Sequence, residues 1–231
     1  MPAAGAVAEE GFAGFRPAAL RFLRQLAARQ DRAWFQENRA TYEREVLAPL
    51  RALVAELATE CLRRGIPLTA DPLKATFRIH RDVRFSRDKR PYKTNAGAVL
   101  SRDGGKGSFG MVYVHVDPAG SFAAAGFWQP EPRQLEALRI AFIEEPGRIA
   151  AALAAATASG AELRREDALT RLPRGFEHAA GTQAAELVKL RHLIVRWPIP
   201  NAALAEPALV GTLAGYATAV QPLLAFGWDA L

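Results

Sequence analysis

Side chains that could bind an anion are concentrated in one short part of this 231-residue sequence. Residues 78–106 contain nine Lys and Arg residues against three Asp residues, and this excess equals the +6 net charge of the whole chain. Arginine can hold a phosphate or carboxylate through two parallel hydrogen bonds, and lysine adds a point charge. The composition therefore predicts a site for a small anionic or phosphate-bearing ligand in residues 78–94, which we call the basic segment.

The candidate ligand-binding residues of the basic segment offer a positive charge, a hydroxyl group or a titratable proton. They are Arg78, His80, Arg81, Asp82, Arg84, Asp88, Lys89, Tyr92 and Lys93. Like charges this close in sequence repel one another, and the two aspartates can neutralise only part of the excess. We expect the remaining cations to bind an anion, while His80 or Asp82 would carry out any proton transfer.

Two other functions would use the same residues. An enzyme acting on a phosphorylated or carboxylate substrate needs a general acid or base beside the cations, and His80, Asp82 and Asp88 are the nearby choices. A single-stranded nucleic acid would stack its bases on aromatic residues such as Tyr92, while the cations contact its phosphates. The sequence identifies no catalytic residue, so whether the protein is an enzyme stays open.

A structural alternative assigns the same charges to an internal network. In such a network each cation pairs with an acid of its own chain, and the protein is a structural or partner-binding protein. The acids available are the aspartates of the basic segment and three glutamates of the N-terminal helices: Glu37, Glu43 and Glu45.

No metal or cofactor motif is present. The four histidines have no partner at a spacing of three or four residues and no cysteine cluster nearby, so we expect no metal site. The chain also lacks a dinucleotide-binding glycine pattern, and residues 104–108 lack the spacing of a phosphate-binding loop. We therefore expect no cofactor.

Cysteine usage and hydropathy favour a cytoplasmic protein. Cys61 is the one cysteine and cannot form an internal disulfide, which suits a reducing compartment. The first ten residues lack the charged and apolar regions of a signal peptide. Residues 207–228 carry no formal charge, but their glycine, proline and polar residues favour a packed amphipathic helix over a membrane span. The sequence does not indicate the oligomeric state.

The periodicity of apolar residues divides the chain into three parts. We expect helices in residues 15–65, strands in residues 75–129 and a mixed, mainly helical part in residues 131–231, after a flexible N-terminus at residues 1–10. No linker or repeat separates these parts, so residues 11–231 are expected to form a single domain.

The strand-rich part should form a mostly antiparallel sheet. Alternation in residues 77–85 predicts one strand, with apolar side chains on one face and Arg78, His80 and other charged residues on the opposite face. Further strands are predicted at residues 96–101, 108–116 and 121–128, and the short turns between them favour antiparallel pairing. N-terminal and C-terminal helices flanking such a sheet make an α+β fold.

The basic segment is also specific enough to indicate a family. Residues 77–94 read FRIHRDVRFSRDKRPYKT and resemble the signature F-R-I-x-R-D-x-R-F-S-x-D-K-x-P-Y-K-T of a bacterial family catalogued as domain of unknown function 2461. His80 departs mildly from the aromatic residue expected at its position. The similarity covers most of the chain, with landmarks such as DRAWF at residues 31–35 and PRGF at residues 173–176. The resemblance implies a soluble α+β protein and is silent about activity.

Overall fold

In the part of the chain that the structure describes, five antiparallel strands form one sheet with helices around it, which confirms the predicted α+β fold class. The computed structural model describes residues 11–231, so the flexible N-terminus expected at residues 1–10 lies outside the described residues. The strands are β1 (Ala96–Ser101), β2 (Met111–Val116), β3 (Ser121–Phe127), β4 (Glu162–Leu163) and β5 (Leu193–Ile199). They lie in the order β1-β2-β3-β5-β4, and each neighbouring pair is antiparallel.

Helices lie on both sides of the strands along the chain. Those before β1 are α1 (Pro17–Arg29), α2 (Arg32–Glu37), α3 (Arg39–Tyr42), a π-helical turn (Glu43–Leu47), α4 (Ala48–Arg63) and α5 (Pro72–Ala75). Those after β3 are α6 (Pro132–Glu144), α7 (Pro146–Ala158), a 3-10 turn (Glu177–Ala179), α8 (Ala185–Val188), α9 (Asn201–Leu204) and α10 (Leu209–Asp229).

One face of the sheet packs against helices α4 and α10. In β2 the buried residues are Val112, Val114 and Val116, and the residues between them are only partly buried, as in a strand with one face in the core. Val114 lies between Ala98 of β1 and Ala123 of β3, whose small side chains allow the helices to approach. Helix α4 contacts β1 and α10 contacts β3, so the two helices cover this core together.

Two local signals shape the N-terminal helices. The Asp31 carboxylate accepts a hydrogen bond from the backbone N–H of Trp34 at 2.8 Å, and this contact caps α2. Pro49 lacks a backbone N–H, and the π-helical turn just before it leads into α4 without a break. The chain therefore stays helical from α2 through α4, along the side of the molecule that faces the basic segment.

Helix α10 is long and apolar enough to cross a membrane by length and composition alone. In this structure it packs against α4, α7 and β3, and 56% of its most apolar window is buried. The Tyr216 hydroxyl, in the N-terminal half of the helix, donates a hydrogen bond to the backbone carbonyl of Val195 in β5 at 3.1 Å. These contacts make α10 a part of the hydrophobic core.

The strand predicted over residues 77–85 is wrong, because these residues belong to a loop that turns back on itself. The Arg81 N–H donates to the Pro91 carbonyl and the Lys93 N–H donates to the Ile79 carbonyl, each at 2.8 Å. Phe85, expected on a buried face, is 96% exposed.

Two aspartate side chains explain why the alternating pattern does not form a strand. Asp82 Oδ1 accepts from the Arg84 N–H at 3.2 Å, and Asp88 Oδ1 accepts from the Arg90 N–H at 3.1 Å. Aspartate that bonds the backbone two residues ahead favours a turn and competes with strand pairing. The charged residues therefore follow two successive turns, and they do not lie together on one face of a strand.

The strand predicted over residues 108–116 begins three residues later, at Met111. Gly110 has a φ of +84°, and a Cβ at this position would collide with the side chains of Phe127 and Trp228. The glycine lets the loop before β2 pass close to the core before the strand begins.

Candidate functional site

A cavity of about 580 Å³ lies between the N-terminal helices and the start of the basic segment. We call it the basic cavity. Its apolar lining residues are Phe35, Tyr42, Leu47, Leu73, Phe77 and Ile79. Its polar lining residues are Gln36, Arg39, Glu43, Arg51, Thr76, Arg78, His80, Lys93 and Lys106.

The cations of the basic cavity come from two distant parts of the chain. Helix α3 supplies Arg39 and helix α4 supplies Arg51, whereas Arg78 and Lys93 precede β1 and Lys106 follows it. The fold therefore brings cations of the basic segment opposite cations of the N-terminal helices.

One acidic residue, Glu43, belongs to this lining. Its Oε1 accepts a hydrogen bond from Nε of Arg39 at 2.8 Å, within the same helical stretch. Within residues 11–231 the other four lining cations form no ion pair: Arg51, Arg78, Lys93 and Lys106. The described part of the chain thus leaves four positive charges of one cavity without a carboxylate partner.

The ring of Phe77 holds two of these cations. The Nζ atoms of Lys93 and Lys106 lie 5.2 and 5.3 Å from its centre, within the range of cation–π attraction. Lys106 Nζ also donates a hydrogen bond to the backbone carbonyl of Thr76 at 2.7 Å. Both ammonium groups are therefore positioned without a negative partner.

Asp103 orders the loop that carries Lys106. Its carboxylate accepts hydrogen bonds from the Ser108 hydroxyl, from the Gly105 N–H at 2.8 Å and from the Ser101 hydroxyl at 3.0 Å. These bonds, led by the one from Ser108, lower the pKa of Asp103 to about 2. The carboxylate is ionised at neutral pH and keeps the loop closed.

Lys93 and Arg51 are the partly buried cations of the cavity. Burial lowers the pKa of Lys93, and the positive charges of Arg78 and Lys106 lower it further. The Nε–H of Arg51 is buried and has no hydrogen-bond partner within residues 11–231. Leaving such a donor unpaired costs about 1–3 kcal/mol, so an acceptor at this position would stabilise the protein.

Three of the five cations between Arg78 and Lys93 pair with the two aspartates of the basic segment. Arg81 Nη1 donates to Asp88 Oδ2 at 2.5 Å, and Arg90 Nη2 donates to the same oxygen at 2.6 Å. Arg84 Nη2 donates to Asp82 Oδ2 at 2.7 Å. The bonds from Arg90 and then Arg81 lower the pKa of Asp88. This part of the segment is the internal network that the structural alternative describes.

Three further candidate residues have separate environments. Lys89 Nζ donates to the backbone carbonyl of Val83 at 3.0 Å. Tyr92 is buried and stacks on Phe35 with ring centres 4.5 Å apart, and burial raises its pKa. His80 is exposed, packs edge-on against Phe35 and lines the basic cavity.

A second cavity of about 320 Å³ adjoins the basic cavity. His80 and Gln36 line both cavities, and the cations of the smaller one are Arg32 and Arg81. Arg81 already pairs with Asp88, so this cavity offers less free positive charge than the basic cavity.

The basic cavity thus brings together three of the predicted site residues, Arg78, His80 and Lys93. Tyr92 and Arg81 line the smaller cavity, while Asp82, Arg84, Asp88 and Lys89 remain in the loop. Lys106 lines the cavity but is not among the residues predicted from the sequence, although the charge count of residues 78–106 includes it. Arg39 and Arg51 are also not among them, and no signal in the sequence places their helices opposite the basic segment.

Two of the three glutamates named in the structural alternative pair with arginines outside the basic segment. Glu43 pairs with Arg39, and Glu45 accepts from Nε of Arg44 at 2.7 Å. Both pairs stay within the N-terminal helical stretch, and within residues 11–231 no ion pair joins Glu37, Glu43 or Glu45 to the basic segment.

Comparison with known proteins supports the resemblance carried by residues 77–94. A family model described as "Conserved hypothetical protein (DUF2461)" matches residues 18–226, from the start of α1 to near the end of α10. No curated protein and no solved structure matches the chain. Because the family model covers nearly the whole chain, the protein belongs to this family, the conserved hypothetical proteins of DUF2461.

Proposed function

We propose that the protein binds a small ligand that carries a phosphate or a similar anionic group in the basic cavity. The observation that carries this proposal is the set of four lining cations without a carboxylate partner in residues 11–231: Arg51, Arg78, Lys93 and Lys106. Like charges facing one cavity repel one another, and an anion between them would replace repulsion with attraction.

The apolar part of the lining suggests the rest of the ligand. Phe35 and Tyr42 are buried at one side, and Phe77 contributes a ring that two ammonium groups already approach. Ligand sites commonly combine such aromatic walls with a few convergent polar groups. We therefore expect a small phosphate ester or carboxylate with an apolar or aromatic body to bind better than inorganic phosphate.

A thermal-shift and calorimetric titration tests this proposal. Inorganic phosphate and a series of phosphate esters should raise the unfolding temperature of the wild-type protein. Arg78→Ala should weaken phosphate binding about tenfold or more, because a hydrogen bond to a charged group contributes roughly 1.5–3 kcal/mol. Arg84→Ala is the matched control, since Arg84 is also exposed but already pairs with Asp82.

Two results would contradict the proposal. The first is that no phosphate compound stabilises the wild-type protein. The second is that Arg84→Ala weakens binding as much as Arg78→Ala, which would place the anion on the loop surface rather than in the basic cavity.

A second candidate function is binding of single-stranded nucleic acid, and one observation favours it. Phe85 is 96% exposed in the middle of the basic segment, beside Arg84. An exposed aromatic ring between cations is a stacking surface for a base. Retention on single-stranded DNA or RNA that falls steeply with salt and is lost in Phe85→Ala would support this function. If the protein is not retained on single-stranded DNA or RNA even at low salt, this second function is excluded.

A further inference from the structure

Among the residues that the structure describes, Lys93 has no acceptor for its ammonium group, unlike the other four lysines of the chain. Lys74 and Lys189 pair with Asp71 and Glu186, at 3.2 and 2.6 Å. Lys89 and Lys106 donate to backbone carbonyls. Within residues 11–231, Nζ of Lys93 contacts no carboxylate and donates no hydrogen bond.

The surroundings of Lys93 disfavour its charged form. The side chain is half-buried in the wall of the basic cavity. Arg78 and Lys106 add positive charge on the same cavity, and together with burial they lower the pKa of Lys93. A lysine desolvated beside other cations is a typical amine nucleophile toward carbonyl groups.

We infer that Lys93 forms an imine with an aldehyde or ketone that also carries a phosphate or carboxylate group. The inference rests on the proposed function, because Arg78 and Lys106 would hold the anionic group while Nζ reaches the carbonyl carbon. It goes beyond binding, since it assigns a covalent step and a substrate class, the anionic carbonyl compounds.

The step is balanced without an oxidant or reductant. The lone pair of the neutral Lys93 amine forms a bond to the carbonyl carbon, and the π electrons of the C=O bond move to oxygen. Nitrogen loses a proton, oxygen gains one, and the resulting carbinolamine loses water as the C=N bond forms. The His80 imidazole lines the same cavity and is exposed, so it can pass these protons to solvent.

Labelling with pyridoxal 5′-phosphate followed by borohydride reduction tests the inference on the full-length protein. Digestion and mass spectrometry then report the rate of labelling at each of the five lysines. We expect Lys93 to be labelled roughly fivefold faster than any other lysine. Inorganic phosphate should slow this labelling, and pyridoxal, which lacks the phosphate group, should react slowly. Lys93→Arg should lose the fast label, whereas Lys89→Arg is the control that keeps it.

The outcomes separate this inference from the proposed function. If inorganic phosphate stabilises the wild-type protein but the label spreads evenly over the lysines, the proposed function stands and the imine assignment is overturned. If Lys93 is labelled quickly but phosphate neither stabilises the protein nor slows the reaction, both are overturned, because the amine would react without an anion site. Fast labelling that phosphate suppresses supports both.

Discussion

Lys93 and Lys106 place their ammonium groups 5.2 and 5.3 Å from the centre of the same aromatic ring, that of Phe77. The two lysines lie on opposite sides of β1 in the sequence, and the loop closed by Asp103 brings the second back to the first. An aromatic ring attracts cations without neutralising them. The arrangement therefore fixes two positive charges in a cavity and leaves them available to an anion.

Replacing Phe77 with leucine should weaken anion binding while largely preserving the fold. The substitution keeps an apolar side chain but removes the cation–π attraction, worth about 0.5–1 kcal/mol for each lysine. The affinity for inorganic phosphate, measured by calorimetry, should therefore fall severalfold. Phe85→Leu is the control, since Phe85 is exposed and outside the basic cavity. Equal affinities in the wild type and Phe77→Leu would show that the ring does not position the lysines.

Replacing Arg51 with methionine should raise the stability of the protein and lower its affinity for phosphate. The buried Nε–H of Arg51 has no partner within residues 11–231, so its removal should raise the free energy of unfolding by about 1 kcal/mol. Loss of the cation should lower phosphate affinity at the same time. Chemical denaturation and calorimetry measure the two effects. A drop in stability would mean that Arg51 has an acceptor in solution and is not held for a ligand.

Asp103 should contribute to the pH dependence of the free energy of unfolding in the acid range. The folded pKa of about 2 lies below the value near 3.9 of an unfolded aspartate, so the carboxylate stabilises the fold above pH 4. That contribution is lost as the pH falls from about 4 through about 2. Asp103→Asn should show a weaker pH dependence of the unfolding free energy in this window. Parallel curves for the two proteins would contradict the role assigned to the hydrogen bonds of Asp103.

Removing Asp88 should open the loop without harming anion binding. Asp88 holds Arg81 and Arg90 and also accepts from the backbone N–H of Arg90. In Asp88→Ala these contacts disappear, so limited trypsin digestion should cut within residues 81–90 severalfold faster. Phosphate affinity should stay equal or increase slightly, since a negative charge near the cavity is removed. A large loss of affinity would instead assign the anion site to this loop.

The sheet could be predicted where short-range signals decide the structure. Strands β1 and β3 coincide with their predicted ranges to within one residue, because glycine-containing turn sequences mark their ends, at residues 102–107 after β1 and residues 117–120 before β3. The loop at residues 77–85 shows the alternation typical of a strand, yet Asp82 and Asp88 bond the backbone ahead of them and form turns. Alternation alone does not show whether a neighbouring strand is present.

The candidate site could be predicted only in part for a related reason. Ion pairs between residues close in sequence, such as Arg84 with Asp82, follow from local geometry. The excess of cations over aspartates also shows that some cations must lack a carboxylate partner within this part of the chain. The position of Arg51 opposite Arg78 depends on how α4 packs against the sheet, and this is a long-range contact. The sequence therefore predicted the excess of cations but not which of them would share a cavity.

A crystal structure of the protein grown with inorganic phosphate tests the central claim most directly. We expect phosphate in the basic cavity, with oxygen atoms within hydrogen-bond distance of at least two of Arg51, Arg78, Lys93 and Lys106. A cavity whose four cations each contact a carboxylate of the chain, with phosphate only at the exposed loop around Arg87 and Lys89, would contradict the proposed function.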